Sequence, residues 1–263
     1  MSWTTDLVAV ATLHDASLFA LPPTDEAAAE EERSPFRLAA DRARKVITDS
    51  DFSKSELERH LGLSGSGIDV VHLGVYPPRS VAPAAFDGLR RYVLFVGEPE
   101  PRKGLELLLA AAKRLSAATQ DGLGVVLAGK GTGIFDDGLG RPLVIGLGAV
   151  SDERLASLYS GAAVVVYPSS YEGFGLPVLE AMAAGAPVIA SDAGAIPEAG
   201  GDAALYFRSG DVDQLVLALQ SVLDEPSKQN DLRENGLRRA AFMSWDRTAD
   251  ATLAILAKAS ASA

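Results

Sequence analysis

The chain has 263 residues, enough for one large or two modest domains with an ample core. Its formal net charge of −11 has the wrong sign for a nucleic-acid partner or for electrostatic docking on anionic lipid. With no cysteine there is no disulfide, thiolate nucleophile or zinc finger, and His14, His60 and His72 are too scattered to suggest a metal site.

The start of the chain has neither a basic n-region nor a long apolar run, so a cytoplasmic protein without signal peptide or transmembrane segment is expected. Residues 8–13 read as a buried strand that ends at His14-Asp15. The acidic, alanine-rich residues 25–33 read as a solvated loop or helix edge. Residues 45–48 form the next strand. Ser53 and Glu56 have capping-box spacing, and the helix they open can stop at Gly62. A third strand covers residues 68–73 and ends at Gly74. Pro77, Pro78 and Pro83 then mark a linker.

Beyond the linker a second βα series begins. Residues 92–96 are a strand, and residues 104–118 a helix with leucines at 105, 108, 109 and 115. Strands are expected at 124–128 and 143–145, a helix at 151–159 and another buried strand at 163–167. Strands at 187–190 and 205–207 follow, then an amphipathic helix at 212–223 and further helices through Trp245 to the C-terminus. Short apolar runs alternating with amphipathic ones are the signature of a parallel sheet covered by helices. The second block makes a complete doubly wound unit. The first has about three strands, against roughly five or six in a typical sheet.

The richest stretch is Glu172-Gly173-Phe174-Gly175-Leu176-Pro177-Val178-Leu179-Glu180, in which two carboxylates bracket a glycine-rich turn that feeds a helix. Pro177 suits the first helical position, and Gly185 suits the stop. Backbone N–H groups near residues 173–176, at the positive end of the helix dipole, offer an anion site. Glu180 in the opening turn and Glu172 just outside it can accept hydrogen bonds from a ligand's vicinal hydroxyls. A phosphate-bearing ligand that also carries hydroxyls fits both features.

Gly97-Glu98-Pro99-Glu100-Pro101-Arg102-Lys103-Gly104 falls at a strand's carboxyl end, where ligands bind in open α/β sheets. There Arg102 and Lys103 offer a forked and a point charge to phosphate oxygens. Gly124 to Gly131 nearly spells a Walker A loop but fails twice. Gly131 replaces the Mg²⁺-binding Ser or Thr, and residues 125–128 read as buried strand. His14, at a strand end, is the histidine best placed for a functional role; His60 reads as surface and His72 as structural. Trp3 and Trp245 read as packing residues.

Taken together, these motifs resemble the retaining GT-B glycosyltransferases of family 4, the glycosyl transferases group 1. The likeness runs through residues 92–97, 101–104, 148–155, 171–188, 191–198, 201–204 and Ser244-Trp245. It implies an α/β, GT-B-like fold with a complete Rossmann-like C-terminal donor domain (83–243) and a partial Rossmann-like N-terminal, acceptor-side domain (1–82). Residues 244–263 would be a C-terminal helix crossing back to the first domain. It also implies a nucleotide-diphosphate sugar as donor substrate, with no separate cofactor or metal, and hexose transfer with retention to a glycan or glycolipid acceptor. Glu180 would hold the ribose, Glu172 the donor sugar, and Gly173, Phe174, Gly175, Leu176 and Gly97 the sugar and diphosphate. Lys103 and Arg102 would steady the leaving diphosphate, and His14 would line the cleft. Many relatives carry arginine where this chain has Glu98; the Glu-Pro-Arg-Lys-Gly run resembles a mannosyltransferase-like branch. The resemblance further implies that the chain starts near the middle of the acceptor domain. Two other readings share the same donor site: a noncatalytic nucleotide-sugar-binding paralogue, and half of a split enzyme whose partner chain supplies the missing N-terminal strands. A peripheral place at the inner membrane, through partner or acceptor, is compatible with all three.

Overall fold

A computed structural model describes residues 9–23, 25–76, 81–118, 122–133 and 143–261. Trp3 and the prolines at 77 and 78 lie outside the described residues. The chain divides into two compact units: Met1–Gly74 with Glu172–Phe174 and Ser244–Ala263, and Val75–Tyr171 with Gly175–Met243.

In the first unit, three parallel strands, β1 (Val10–Thr12), β2 (Lys45–Thr48) and β3 (Ile68–Val70), lie in the order β1-β2-β3. Between them run helices α1 (Ser17–Ala20), α2 (Glu26–Arg42) and α3 (Asp51–Leu61). Leu13, Ala16, Ala40, Val46, Leu57 and Ile68 make one core cluster. Ile47 and Val71 make another with Ile255 of the C-terminal helix, Trp245–Ala261.

Two local expectations change here. The acidic stretch at 25–33 opens a helix of 17 residues. The Asp25 carboxylate caps it by accepting from the N–H groups of Ala27 and Ala28, and alanine and glutamate extend it at little cost. α3 starts at Asp51 rather than at a Ser53–Glu56 box, because Ser50 Oγ accepts the Ser53 N–H at 2.9 Å. Gly62 ends α3 as expected, its N–H reaching the Glu58 carbonyl at 3.0 Å.

The second unit runs β4 (Arg91–Val96), α4 (Leu105–Ala118), β5 (Leu123–Ala128), β6 (Leu143–Gly146), α5 (Asp152–Gly161) and β7 (Val164–Tyr167). It continues α6 (Leu176–Ala183), β8 (Val188–Ser191), α7 (Ile196–Gly200), β9 (Leu205–Phe207), α8 (Val212–Asp224) and α9 (Pro226–Phe242). All six strands are parallel, in the order β6-β5-β4-β7-β8-β9. Counted within the unit, that is the 3-2-1-4-5-6 order of the doubly wound dinucleotide fold. Alternate strand residues serve opposite faces. Val93, Phe95, Val125, Leu127, Val164 and Val166 pack with α4 and α8, while Leu94, Val126 and Val165 are also fully or almost fully buried. Burial on both faces is why these strands read as continuous apolar runs.

Helix termini follow from sequence as well. Asp211 caps α8 by accepting the Gln214 N–H at 2.9 Å. Replacing Asp211 by alanine should lower stability by about 1 kcal/mol, measured by urea unfolding.

Candidate functional site

The strand order reverses between β4 and β7, which pair directly, so the crevice of the sheet opens above their carboxyl ends. Gly97 leaves β4 there, donating its N–H to the Ala128 carbonyl at 2.9 Å. A single 3-10 turn, Pro101–Lys103, then carries the two cations. Its backbone is clasped by the segment after β7. The Arg102 carbonyl accepts from Ser170 N–H at 2.7 Å, Ser169 Oγ at 3.0 Å and Ser170 Oγ at 3.2 Å. The Arg102 side chain donates to the Tyr171 carbonyl at 3.3 Å and pairs with Glu100 at 2.9 Å. Lys103 Nζ donates to Tyr167 Oη at 3.3 Å and lies 5.5 Å from the centre of its ring. Both cations are half-buried, so their charges act at the crevice without the cost of full desolvation.

Beside this loop, the Walker-like sequence is what its residues suggested, a buried strand followed by a turn. Gly129 donates to the Gly148 carbonyl, and a Cβ there would fall 2.2 Å from the Gly97 carbonyl oxygen. Close approach of the β4 and β5 loops therefore needs glycine. Buried Thr132 closes the turn, its Oγ1 donating to the Gly129 carbonyl at 2.8 Å and accepting the Gly148 N–H at 3.1 Å.

After β7 comes α6. It begins at Leu176 with Gly175 as N-cap, so Pro177 is the second helical residue and Glu180 the fifth. Glu180 is thus one residue deeper than expected. The far end is a Schellman motif: Ala186 N–H to Ala181 carbonyl at 2.9 Å, Gly185 N–H to Met182 carbonyl at 3.0 Å. Arg233 of α9 adds a hydrogen bond to the Gly185 carbonyl at 2.6 Å. Fully buried Val178, Leu179 and Met182 fix the rotation of the helix. The Glu180 carboxylate accepts from the buried Tyr159 hydroxyl at 3.1 Å. Burial raises the Glu180 carboxyl above its ordinary range; the Tyr159 hydrogen bond draws it back down and the Asp152 charge raises it further. Tyr159 is itself pushed well above the usual phenol value, first by burial and then by Glu180.

The remaining expected residues belong to the first unit. His14 follows β1 and Glu172, Gly173 and Phe174 form that unit's one segment from the middle of the sequence. The Gly173 carbonyl accepts from two buried serines, Ser50 Oγ at 2.6 Å and Ser53 Oγ at 2.9 Å. Phe174 stacks on His72 with ring centres 5.7 Å apart. His14 Nδ1 lies 2.8 Å from Asp49 Oδ2. The structure therefore groups Gly97, Arg102, Lys103, Gly175, Leu176 and Glu180 in the second unit, and His14, Glu172, Gly173 and Phe174 in the first. Tyr159, Tyr167, Ser169, Asp49, Ser50 and Ser53 were not anticipated as site residues. Each acts on a partner distant in sequence, so no local pattern marks it.

Residues 80–239 match the family described as Glycosyl transferases group 1. The chain belongs to this family. It is 35% identical over 268 residues to the O-antigen chain mannosyltransferase B of Escherichia coli, covering 93% of this chain and 69% of that protein. It is also 35% identical over 228 residues to the MMP alpha-(1->4)-mannosyltransferase of Mycolicibacterium hassiacum, covering 82% of this chain and 54% of the relative. Among solved structures, the sucrose-phosphate synthase of Thermosynechococcus elongatus superposes with a TM-score of 0.77 at 26% identity, covering 97% of this chain and 68% of that one. The fold is accordingly that of the GT-B glycosyltransferases, and the chain is a transferase of the group 1, mannosyltransferase-like kind.

Proposed function

We propose that the second unit binds a nucleotide-diphosphate sugar and that the protein moves its hexose, of mannose or glucose type, to a glycan or glycolipid acceptor. The observation that carries this is the placing of Arg102 and Lys103 after β4 and of Glu180 in the helix after β7, the two strands that flank the switch point. In this reading the ribose hydroxyls donate to Glu180, whose second partner, Tyr159, keeps the carboxylate oriented. The diphosphate lies toward Lys103 and Arg102 and toward the backbone of Gly175 and Leu176 at the start of α6. As the sugar–phosphate bond breaks, negative charge grows on the leaving diphosphate, and prepositioned cations lower that barrier. Transfer with retention, and without a metal ion or other cofactor, belongs to the same proposal. So does a cytoplasmic location: no helix among the described residues is long and apolar enough to cross a membrane.

Calorimetry of the purified chain with UDP, GDP and ADP tests it, followed by assays of donor hydrolysis and transfer. Failure to bind any of the three would falsify the donor-site reading. Replacing Lys103 by methionine should lower the rate of donor cleavage about tenfold, with Arg102 still in place, while changing nucleotide affinity much less. Weaker affinity with an unchanged rate at saturating donor would mean that Lys103 serves binding alone.

A further inference from the structure

His14 and Asp49 form a pair that the donor site does not explain. β1 and β2 run parallel with Thr12 opposite Ile47, and the ladder continues one step beyond through Leu13 N–H to the Ile47 carbonyl at 2.9 Å. This register sets His14 beside Asp49, with Nδ1 2.8 Å from Oδ2. The two side chains differ sharply in setting: His14 is 71% exposed and Asp49 6%. A carboxylate so enclosed needs hydrogen-bond donors, and the ring N–H is one. An exposed imidazole, by contrast, has no need of a buried acid. The pair orients an exposed ring from below, in the way a carboxylate sets the tautomer of a functional histidine by holding one nitrogen. Burial pushes the Asp49 carboxyl up; the hydrogen bond and charge of His14 draw it down, Asp15 opposes them and His72 assists.

We infer that Asp49 is a positioning residue for His14: it accepts the Nδ1 proton, fixes the plane of the ring and leaves Nε2 outward as an acceptor for a ligand hydroxyl. That the hydroxyl belongs to a sugar rests on the reading above; the tautomer does not.

Two-bond proton–nitrogen spectra of the ¹⁵N-labelled full chain test this at pH about 8.5, roughly two units above the ordinary imidazole value. The His14→Gln variant assigns the signal. His14 is expected to carry its proton on Nδ1, whereas a free imidazole prefers Nε2. Asp49→Ala should move it to Nε2, and Asp49→Asn, whose amide oxygen still accepts, should retain more of the Nδ1 form. In donor hydrolysis, Asp49→Ala should lower kcat roughly tenfold with nucleotide affinity within about twofold of the parent, and asparagine should restore part of the rate. An Nε2–H tautomer in the parent chain overturns the inference, and that spectrum decides even if the alanine variant does not fold. An unchanged tautomer in Asp49→Ala, or a changed tautomer with unchanged kcat, overturns it too. Should the tautomer behave as expected while no nucleotide binds, the donor reading fails and the positioning of His14 stands.

Discussion

Replacing Glu180 by glutamine is expected to weaken UDP or GDP binding about ten- to hundredfold, the loss that goes with hydrogen bonds to a charged group. The same change should leave the empty fold at least as stable at neutral pH. The second expectation follows from the direction of the Glu180 shift. Burial, its largest cause, raises the carboxyl above its ordinary value, so the folded protein holds that proton more tightly than the unfolded chain does. The resulting stabilisation is present in acid and is lost as pH rises through the folded value. At neutral pH the carboxylate is charged in a place that disfavours charge, as functional carboxylates often are. Glutamine removes that charge and still accepts from the Tyr159 hydroxyl. Alanine does not. It strands a buried hydroxyl, so Glu180→Ala should lose affinity and also about 1–3 kcal/mol of stability. Calorimetric titration gives the first effect, and urea unfolding of the three proteins gives the second. Unaltered affinity in the glutamine variant would remove Glu180 from the ribose.

That pairing of Tyr159 with Glu180 marks where the sequence stops being legible. The strands of the second unit could be read because each is a short apolar run, and in β4, β5, β7 and β8 that run is buried on both faces, as in Tyr92 to Phe95 or Val164 to Tyr167. The loops that follow β4 and β7 could then be read as the ligand side, since fold order alone puts them at the crevice. Misreadings came where stability is local or tertiary rather than periodic. α2 fully buries only Ala40, and the residues that pack with it, Phe36 and Ala39, lie in the second half, so its alanine-rich, acidic first half reads in sequence as a solvated loop or helix edge. α1 and α7 have four and five residues, too few for a 3.6-residue period to register. In sequence the Glu172–Glu180 stretch reads as one local device, yet contacts assign Glu172–Phe174 to the first unit and Gly175 onward to the second. Ser50 and Ser53, which bind the Gly173 carbonyl, lie more than a hundred residues earlier. Spacing within a motif cannot reveal partners at that range.

Gly104→Ala should damage the cation loop, with an expected loss of about 2–5 kcal/mol. Gly104 follows the Pro101–Lys103 turn at φ +69°, a left-handed conformation that costs a residue with a Cβ about 1–2 kcal/mol. Its position adds a second cost. A Cβ there would lie 2.3 Å from the Pro168 carbonyl oxygen, far inside contact distance, and both atoms are backbone-fixed. Relief requires the segment after β7 to move, at about 1–3 kcal/mol for overpacking. That segment is the one whose Ser169 and Ser170 hold the Arg102 carbonyl, so moving it releases the turn that presents Arg102 and Lys103. Gly62 supplies the control. It has nearly the same φ, +66°, but nothing within 4 Å of an added Cβ, so Gly62→Ala should show the conformational cost alone. Urea unfolding of the two variants separates the terms, and calorimetry with GDP or UDP should find affinity reduced only for Gly104→Ala. If both variants lose equal stability and both keep their affinity, the turn does not depend on its clasp. A larger loss at Gly104, accompanied by weaker binding, would mean that the cations are held in place by the backbone of the neighbouring strand's loop.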